Sequence, residues 1–270
     1  MNNYGILALQ FEPRINNIEK NLETVKFQLQ NFYEQLDLII LPEFFSTGIN
    51  HQGFIDYAEN EQNPNVLNFL SNLAKEKNSN IIGGTIIEKD GENFYNTSYI
   101  FDRNGEIKAK YRKIHLYSYF GGKENEVITE GNNPPVTVEL DFAKIGVGIC
   151  FDLRFPMHFN KLMKMGAEII ACPNAWCLPQ KSTNYDFELK KREMKAFSIT
   201  RAVENLCYFA GASFIGSLGS GLNSCANSII VSPVGEILAI GEDKPAAIYS
   251  KIDMDFLRNL RKEFPINKID

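Results

Sequence analysis

An α/β domain built from sheets covered by helices is what this 270-residue sequence predicts. Short apolar, strand-like runs alternate with segments of helical period along the whole chain. Apolar residues make up 44% and charged residues 23%, ordinary globular usage that argues against a disordered, collagenous or coiled-coil chain. No low-complexity linker or internal repeat divides the sequence, so residues 1–270 are expected to form a single domain.

Residues 5–11 (GILALQF) read as a buried strand. Ile18, Leu22, Val25, Leu29 and Phe32 then fall on one face of a helix. Residues 38–41 (LIIL) are fully apolar and strand-like, and Val66, Leu67, Leu70, Leu73 and Ala74 define a second helix. Residues 81–87 are expected as one strand. Asp90-Gly91 turns into a strand over 94–101, and residues 102–105 (DRNG) turn again with hairpin chemistry. The second half repeats the alternation, with strands at 136–140, 145–149 and 169–172 and a charged helix over 187–205. Further strands follow at 206–212, 228–231, 237–240 and 246–252. The stretches 117–133 and 176–185 are the longest without a pattern, and long loops in compact domains often carry function.

The net charge of −5 gives the wrong field for general binding of nucleic acid or an anionic membrane. No apolar run reaches the ~18 residues of a membrane helix, and Met1, Asn2, Asn3 and Tyr4 do not open a leader peptide. The five cysteines (Cys150, Cys172, Cys177, Cys207, Cys225) are odd in number and sit mostly in apolar segments, as expected of free thiols in the cytoplasm. His51, His115 and His158 are isolated in sequence and no C-x-x-C pair exists, so no metal is expected.

Three segments place reactive side chains at the ends of apolar runs. Glu43 directly follows LIIL between Pro42 and two phenylalanines. It reads either as a surface acid ending a strand or as a desolvated carboxylate suited to general-base work. The cluster KYRKIHL (110–116) is either a solvated basic face or the source of one inward cation. In GVGICFDLRFP (146–156) an apolar strand ends at Cys150, and Pro156 is placed to open a helix. That strand–turn–helix pattern exposes a nucleophile at a sharp bend, although a buried structural cysteine fits as well. An unassisted thiol is only about a few per cent ionised at neutral pH, so catalysis needs a base or cation beside it.

Together, Glu43 in LPEFF, Lys113 in YRKIHL and Cys150 in GICFDLRFP resemble the Glu–Lys–Cys triad of the nitrilase (carbon–nitrogen hydrolase) superfamily in order and separation. The resemblance runs from GILALQF to SIIVSPVGEIL. It implies a four-layer α-β-β-α sandwich that pairs through its helices into a homodimer or larger homo-oligomer. It implies a thioester mechanism with no cofactor. Cys150 is the nucleophile, Glu43 the proton acceptor, and Lys113 with the Phe151 backbone N–H the oxyanion donors. A second glutamate lies seven residues before a Gly-Asn; Gly131-Asn132 points to Glu124, with Glu126 as its rival and Glu130 too close to the turn.

The run CFDLRFP resembles the amidases that act on dicarboxylate monoamides, including omega-amidases, which hydrolyse 2-oxoglutaramate, and deaminated-glutathione amidases. Arg154 is then either a grip for a remote carboxylate or a brace paired with Asp152 or a neighbouring acid. Trp176 is either a pocket wall or a core aromatic. The chain departs from related amidases at Glu193-Met194, where a His-Trp pair is usual. The expected function is therefore hydrolysis of a small carboxylate-bearing amide. An N-carbamoyl amidase, another superfamily hydrolase and a non-catalytic binding protein of the same fold are the alternatives.

Overall fold

The computed structural model describes residues 3–266 apart from 31, 52 and 226. Met1 and Asn2, the start of the stretch judged not to be a leader, lie outside the described residues.

Two mixed sheets stack face to face. In the first, the strand order is Ala246–Asp253, Asn3–Gln10, Leu38–Ile40, Asn80–Ile82, Asn93–Phe101 and Ile86–Asp90, and Ile107–Arg112 also pairs with Asn93–Phe101. The second runs Ile237–Ile240, Ile229–Val231, Tyr208–Ala212, Ile169–Pro173, Lys144–Val147 and Val136–Glu139. Each has three neighbouring parallel strands flanked by antiparallel ones.

Alternation along the strands sorts side chains into layers. Ile6, Ala8, Leu38 and Ile40 turn inward and meet Ile145, Val147, Ile169 and Ala210 of the opposite sheet. Their neighbours Leu7, Leu9, Ile39 and Leu41 turn outward. There they pack against Val25 and Leu29 of α1 (Ile18–Gln30) and Leu67, Leu70 and Leu73 of α2 (Val66–Lys77). Phe159 and Leu162 of α3 (Pro156–Lys164), with Met194 and Ala202 of α4 (Asn184–Asn205), cover the second sheet. The expected α-β-β-α sandwich is the observed one.

Three local expectations are corrected. Residues 81–87 form two strands, because Gly83-Gly84 breaks the run; Gly84 has φ +55°, and a Cβ there would collide with the Pro42 carbonyl. The stretch after Trp176 carries a short strand, Cys177–Pro179, which joins Leu222–Ser224 and Ser217–Gly219 in a third small sheet. A further amphipathic helix, α5 (Met254–Glu263), follows the strand Ala246–Asp253, with Asp253 capping its first turn.

Candidate active site

The site lies beyond the carboxyl ends of the parallel strands, where open α/β sheets usually place ligands. Glu43 follows the strand Leu38–Ile40. The next residue, Phe44, is left-handed (φ +56°), and its N–H donates to the Thr85 hydroxyl at 2.9 Å, just after the Gly83-Gly84 break. That break therefore lets the Glu43 turn pack closely. Lys113 continues the strand Ile107–Arg112, its N–H donating to the Asn96 carbonyl at 2.9 Å.

Cys150 opens a one-turn helix, Cys150–Arg154, after an extended Ile149 and adopts φ +44° itself. Left-handed backbone at a non-glycine residue costs on the order of 1–3 kcal/mol and persists only where the surroundings enforce it. The enforcing group is Asp152. Its Oδ2 accepts from the Ile149 N–H and the Tyr111 hydroxyl, both at 2.8 Å, and its Oδ1 pairs with His115 Nδ1 at 2.6 Å. Burial works against this carboxylate, but His115 and the other donors hold it below the usual range. His115 stacks on Phe155 with ring centroids 3.5 Å apart. Two of the three histidines that look isolated in sequence, His115 and His158, thus meet around Asp152. This group braces the turn, and the bonds just described occupy both oxygens of Asp152.

Glu43, Lys113 and Glu124 are 1%, 2% and 3% exposed. Lys113 Nζ donates to Glu43 Oε1 at 2.8 Å and to Glu124 Oε2 at 2.7 Å. The Cys150 side chain lines one small cavity with Glu43, Lys113 and Glu124, and the Ala175 N–H donates to Glu43 Oε2 at 3.0 Å. Glu124 reaches inward because the 117–133 loop folds back on itself, with the Tyr117 N–H donating to Glu124 Oε2 at 2.8 Å. Glu126 stays on the surface, paired with Lys123.

Sequence reasoning missed Asn96. Its side-chain amide donates to Glu43 Oε1 at 2.8 Å and to Glu124 Oε1 at 2.7 Å, spanning both carboxylates. The available signal was a single asparagine inside the strand FYNTSYIF.

The electrostatics follow from two carboxylates sharing one buried cation. Burial pushes Glu43 up, and Glu124 adds to this, against the opposing pull of Lys113. Burial works to neutralise Lys113, but Glu124 and Glu43 outweigh it and hold the ammonium charged. Burial, then the Glu43 charge, pushes the Cys150 thiol well above its ordinary value, so at rest the proton is on sulfur. The arrangement is a thiol against an avid proton acceptor, with a fixed positive charge alongside.

A carbon–nitrogen hydrolase family model matches residues 6–262. The chain belongs to the carbon–nitrogen hydrolase family. It is 33% identical to the chloroplastic omega-amidase of Arabidopsis thaliana over 86% of this chain, spanning 62% of that relative's length. It is 32% identical to Omega-amidase NIT2 of Homo sapiens (85% of this chain, 81% of the relative). It is 27% identical to 2-oxoglutaramate amidase of Bacillus subtilis (97% and 96%). Among solved structures, Saccharomyces cerevisiae Nit3 superposes with a TM-score of 0.84 at 26% identity, covering 99% of this chain and 96% of that one.

In this hydrolase a cavity of about 270 Å³ opens above Cys150, walled by Tyr117, Tyr119, Phe151, Trp176, Arg154 and Lys190 among others. Phe151 packs edge-on against Tyr117 at 5.2 Å. Trp176 lines the cavity and also packs in the core. Arg154 lines the cavity too, but its acidic partner is Glu193 on α4 rather than Asp152. All five cysteines are free and buried, and Cys177 shares the cavity with Cys150. Among the described residues no helix is long and apolar enough to cross a membrane.

Proposed function

We propose that this hydrolase is a cysteine-dependent amidase of the omega-amidase type, acting on a small amide that carries a remote carboxylate and releasing ammonia. The observation that carries the reading is Cys150, held left-handed at the cavity floor and sharing a small cavity with Glu43 and Lys113.

Glu43 takes the thiol proton as sulfur bonds to the amide carbon, and the carbonyl π pair moves onto oxygen. Lys113 and the Phe151 N–H stabilise that oxyanion; Phe151 lies in the first turn of a helix, where N–H groups lack intrahelical partners. Glu43 then passes its proton to the amide nitrogen, the C–N bond breaks and ammonia leaves. Water adds to the thioester while giving a proton to Glu43. Collapse breaks the C–S bond, and sulfur recovers the proton. Glu124 and Asn96 hold Lys113 and Glu43 in place throughout. Names of relatives and the cationic cavity wall support the carboxylate-bearing substrate.

A single domain, a cytoplasmic setting and assembly into a homodimer or larger homo-oligomer complete the proposal, the five free thiols supporting a reducing compartment. The test is ammonia release from succinamate, 2-oxoglutaramate, N-carbamoyl compounds and nitriles, with mass spectrometry of acyl enzyme trapped by rapid acid quench. The carboxylate-bearing amides should be turned over best and the acyl group should map to Cys150. Cys150→Ala and Cys150→Ser should both be inactive while folded. Substantial activity in Cys150→Ala would end the proposal.

A further inference from the structure

The cavity above Cys150 is walled by two cations and no carboxylate: Arg154, from the turn that carries Cys150, and Lys190, from α4. One turn after Lys190, Glu193 bridges them. One of its oxygens takes the Arg154 guanidinium and the other takes Lys190 Nζ at 2.6 Å. Glu193 itself stands outside the cavity wall, in the adjoining groove with Lys190 and Phe120.

The three groups sum to one net positive charge. Glu193 takes a single N–H from each cation, only part of what a guanidinium and an ammonium can donate. Both cations therefore keep donors for a second anion without breaking the bridge. Arg154 is also held by aromatic rings, with its guanidinium 5.5 Å from the Trp176 centroid and 5.4 Å from that of Phe197. Lys190 stands 6.0 Å from the Phe120 centroid.

Building on the amidase reading above, we infer that Lys190 and Arg154 form a two-cation clamp for the remote carboxylate of the amide. Glu193 is its built-in counter-ion, setting the subsite to accept one negative charge. Glu193 touches neither the reacting atoms nor the substrate; it is a positioning residue. The same bridge ties α4 to the Cys150 turn, so it fixes the distance between the carboxylate subsite and the sulfur.

The test compares kcat and KM for succinamate and for butyramide, its neutral analogue of equal length, in the wild type and in Lys190→Met, Lys190→Arg and Glu193→Gln. The ratio of kcat/KM between the two substrates does not depend on the active fraction, so partial misfolding does not distort it. In Lys190→Met the ratio should fall at least about tenfold, in KM rather than kcat, as expected for loss of one charge-assisted hydrogen bond. Lys190→Arg should restore most of it. Glu193→Gln should raise the ratio severalfold by removing a negative charge. An unchanged ratio in Lys190→Met would overturn the clamp while leaving the amidase reading intact, and a fall in Glu193→Gln would overturn the counter-ion role. A wild type with no preference between the two amides would remove the carboxylate reading and the clamp with it.

Discussion

The hairpin Asn93–Phe101 and Ile107–Arg112 carries an ionic cluster around a buried glutamate on each of its faces, and the two behave oppositely. On one face Glu88 accepts from Arg112 at 2.8 and 2.9 Å, from Lys110 at 2.7 Å and from the Thr97 hydroxyl at 2.8 Å. One residue along each strand, Asn96 and Lys113 face Glu43 and Glu124 instead. The first cluster gives one buried carboxylate two cations, whose other partners, Glu61 and Asp90, are exposed. Burial works against its charge, but Arg112, Lys110 and Thr97 prevail and hold Glu88 down to about 2. The second gives two carboxylates one cation, and Glu43 is pushed up. Similar residue types, offset by one position of strand register, make a firmly ionised brace on one side and a carboxylate raised toward protonation on the other. What differs is that Glu88 is the only buried carboxylate on its two cations, whereas Glu43 shares one cation with a second buried carboxylate, Glu124.

The sharpest break in this comparison is Glu43→Gln, which keeps the shape and removes the proposed base. Turnover should fall by about 10²–10⁴-fold. Melting temperature should stay nearly constant, since burial already disfavours the Glu43 charge. A large loss of stability with modest loss of turnover would make Glu43 another Glu88.

Glu88→Gln should do the converse, costing about 1–3 kcal/mol in denaturant titrations while kcat holds, because Arg112 and Lys110 lose a shared buried acceptor. Its pH signature follows from the depressed value. The stabilisation by Glu88 is complete above the ordinary 4.5 and is lost as pH falls toward about 2. The variant should therefore lose less stability than the wild type across that window.

Asn96→Leu is the smallest of the three changes. It deletes two donors that favour ionised carboxylates, so kcat/KM at neutral pH should fall about tenfold and the acid limb of its pH profile should move upward. An acid limb that stays in place would mean that Asn96 only fills space.

How legible all this was in the sequence depends on whether a residue acts through local pattern or through a distant partner. Glu43 and Cys150 each end an apolar run and Lys113 lies in a basic cluster before Ile114, so the chain itself marks them, whereas Glu124 was pointed to by the family resemblance, through its spacing from Gly131. Asn96 was hidden because any polar residue satisfies an alternating strand. Lys190 carried no signal of its own, and Glu193 stood out only as a departure from a usual His-Trp pair; their meaning comes from Arg154, 39 residues from Glu193. The layered fold was readable from periodicity, whereas strands of three residues such as Ser217–Gly219 and Leu222–Ser224 are too short to show any.

The strand Asn3–Gln10 runs antiparallel to Ala246–Asp253 over its full length, from Asn3 opposite Asp253 to Gln10 opposite Ala246. During synthesis at about 5–20 residues per second, the later strand leaves the ribosome on the order of 10–50 seconds after the earlier one. Leu38–Ile40 is available soon to cover one edge of Asn3–Gln10, but the other edge waits with its backbone groups unpaired. An open edge on so apolar a strand is a template for pairing with another chain. The nascent protein therefore stays exposed to aggregation until residues 246–253 emerge, at a stage when the site residues have all been made and the sheet beneath Glu43 still lacks its edge strand.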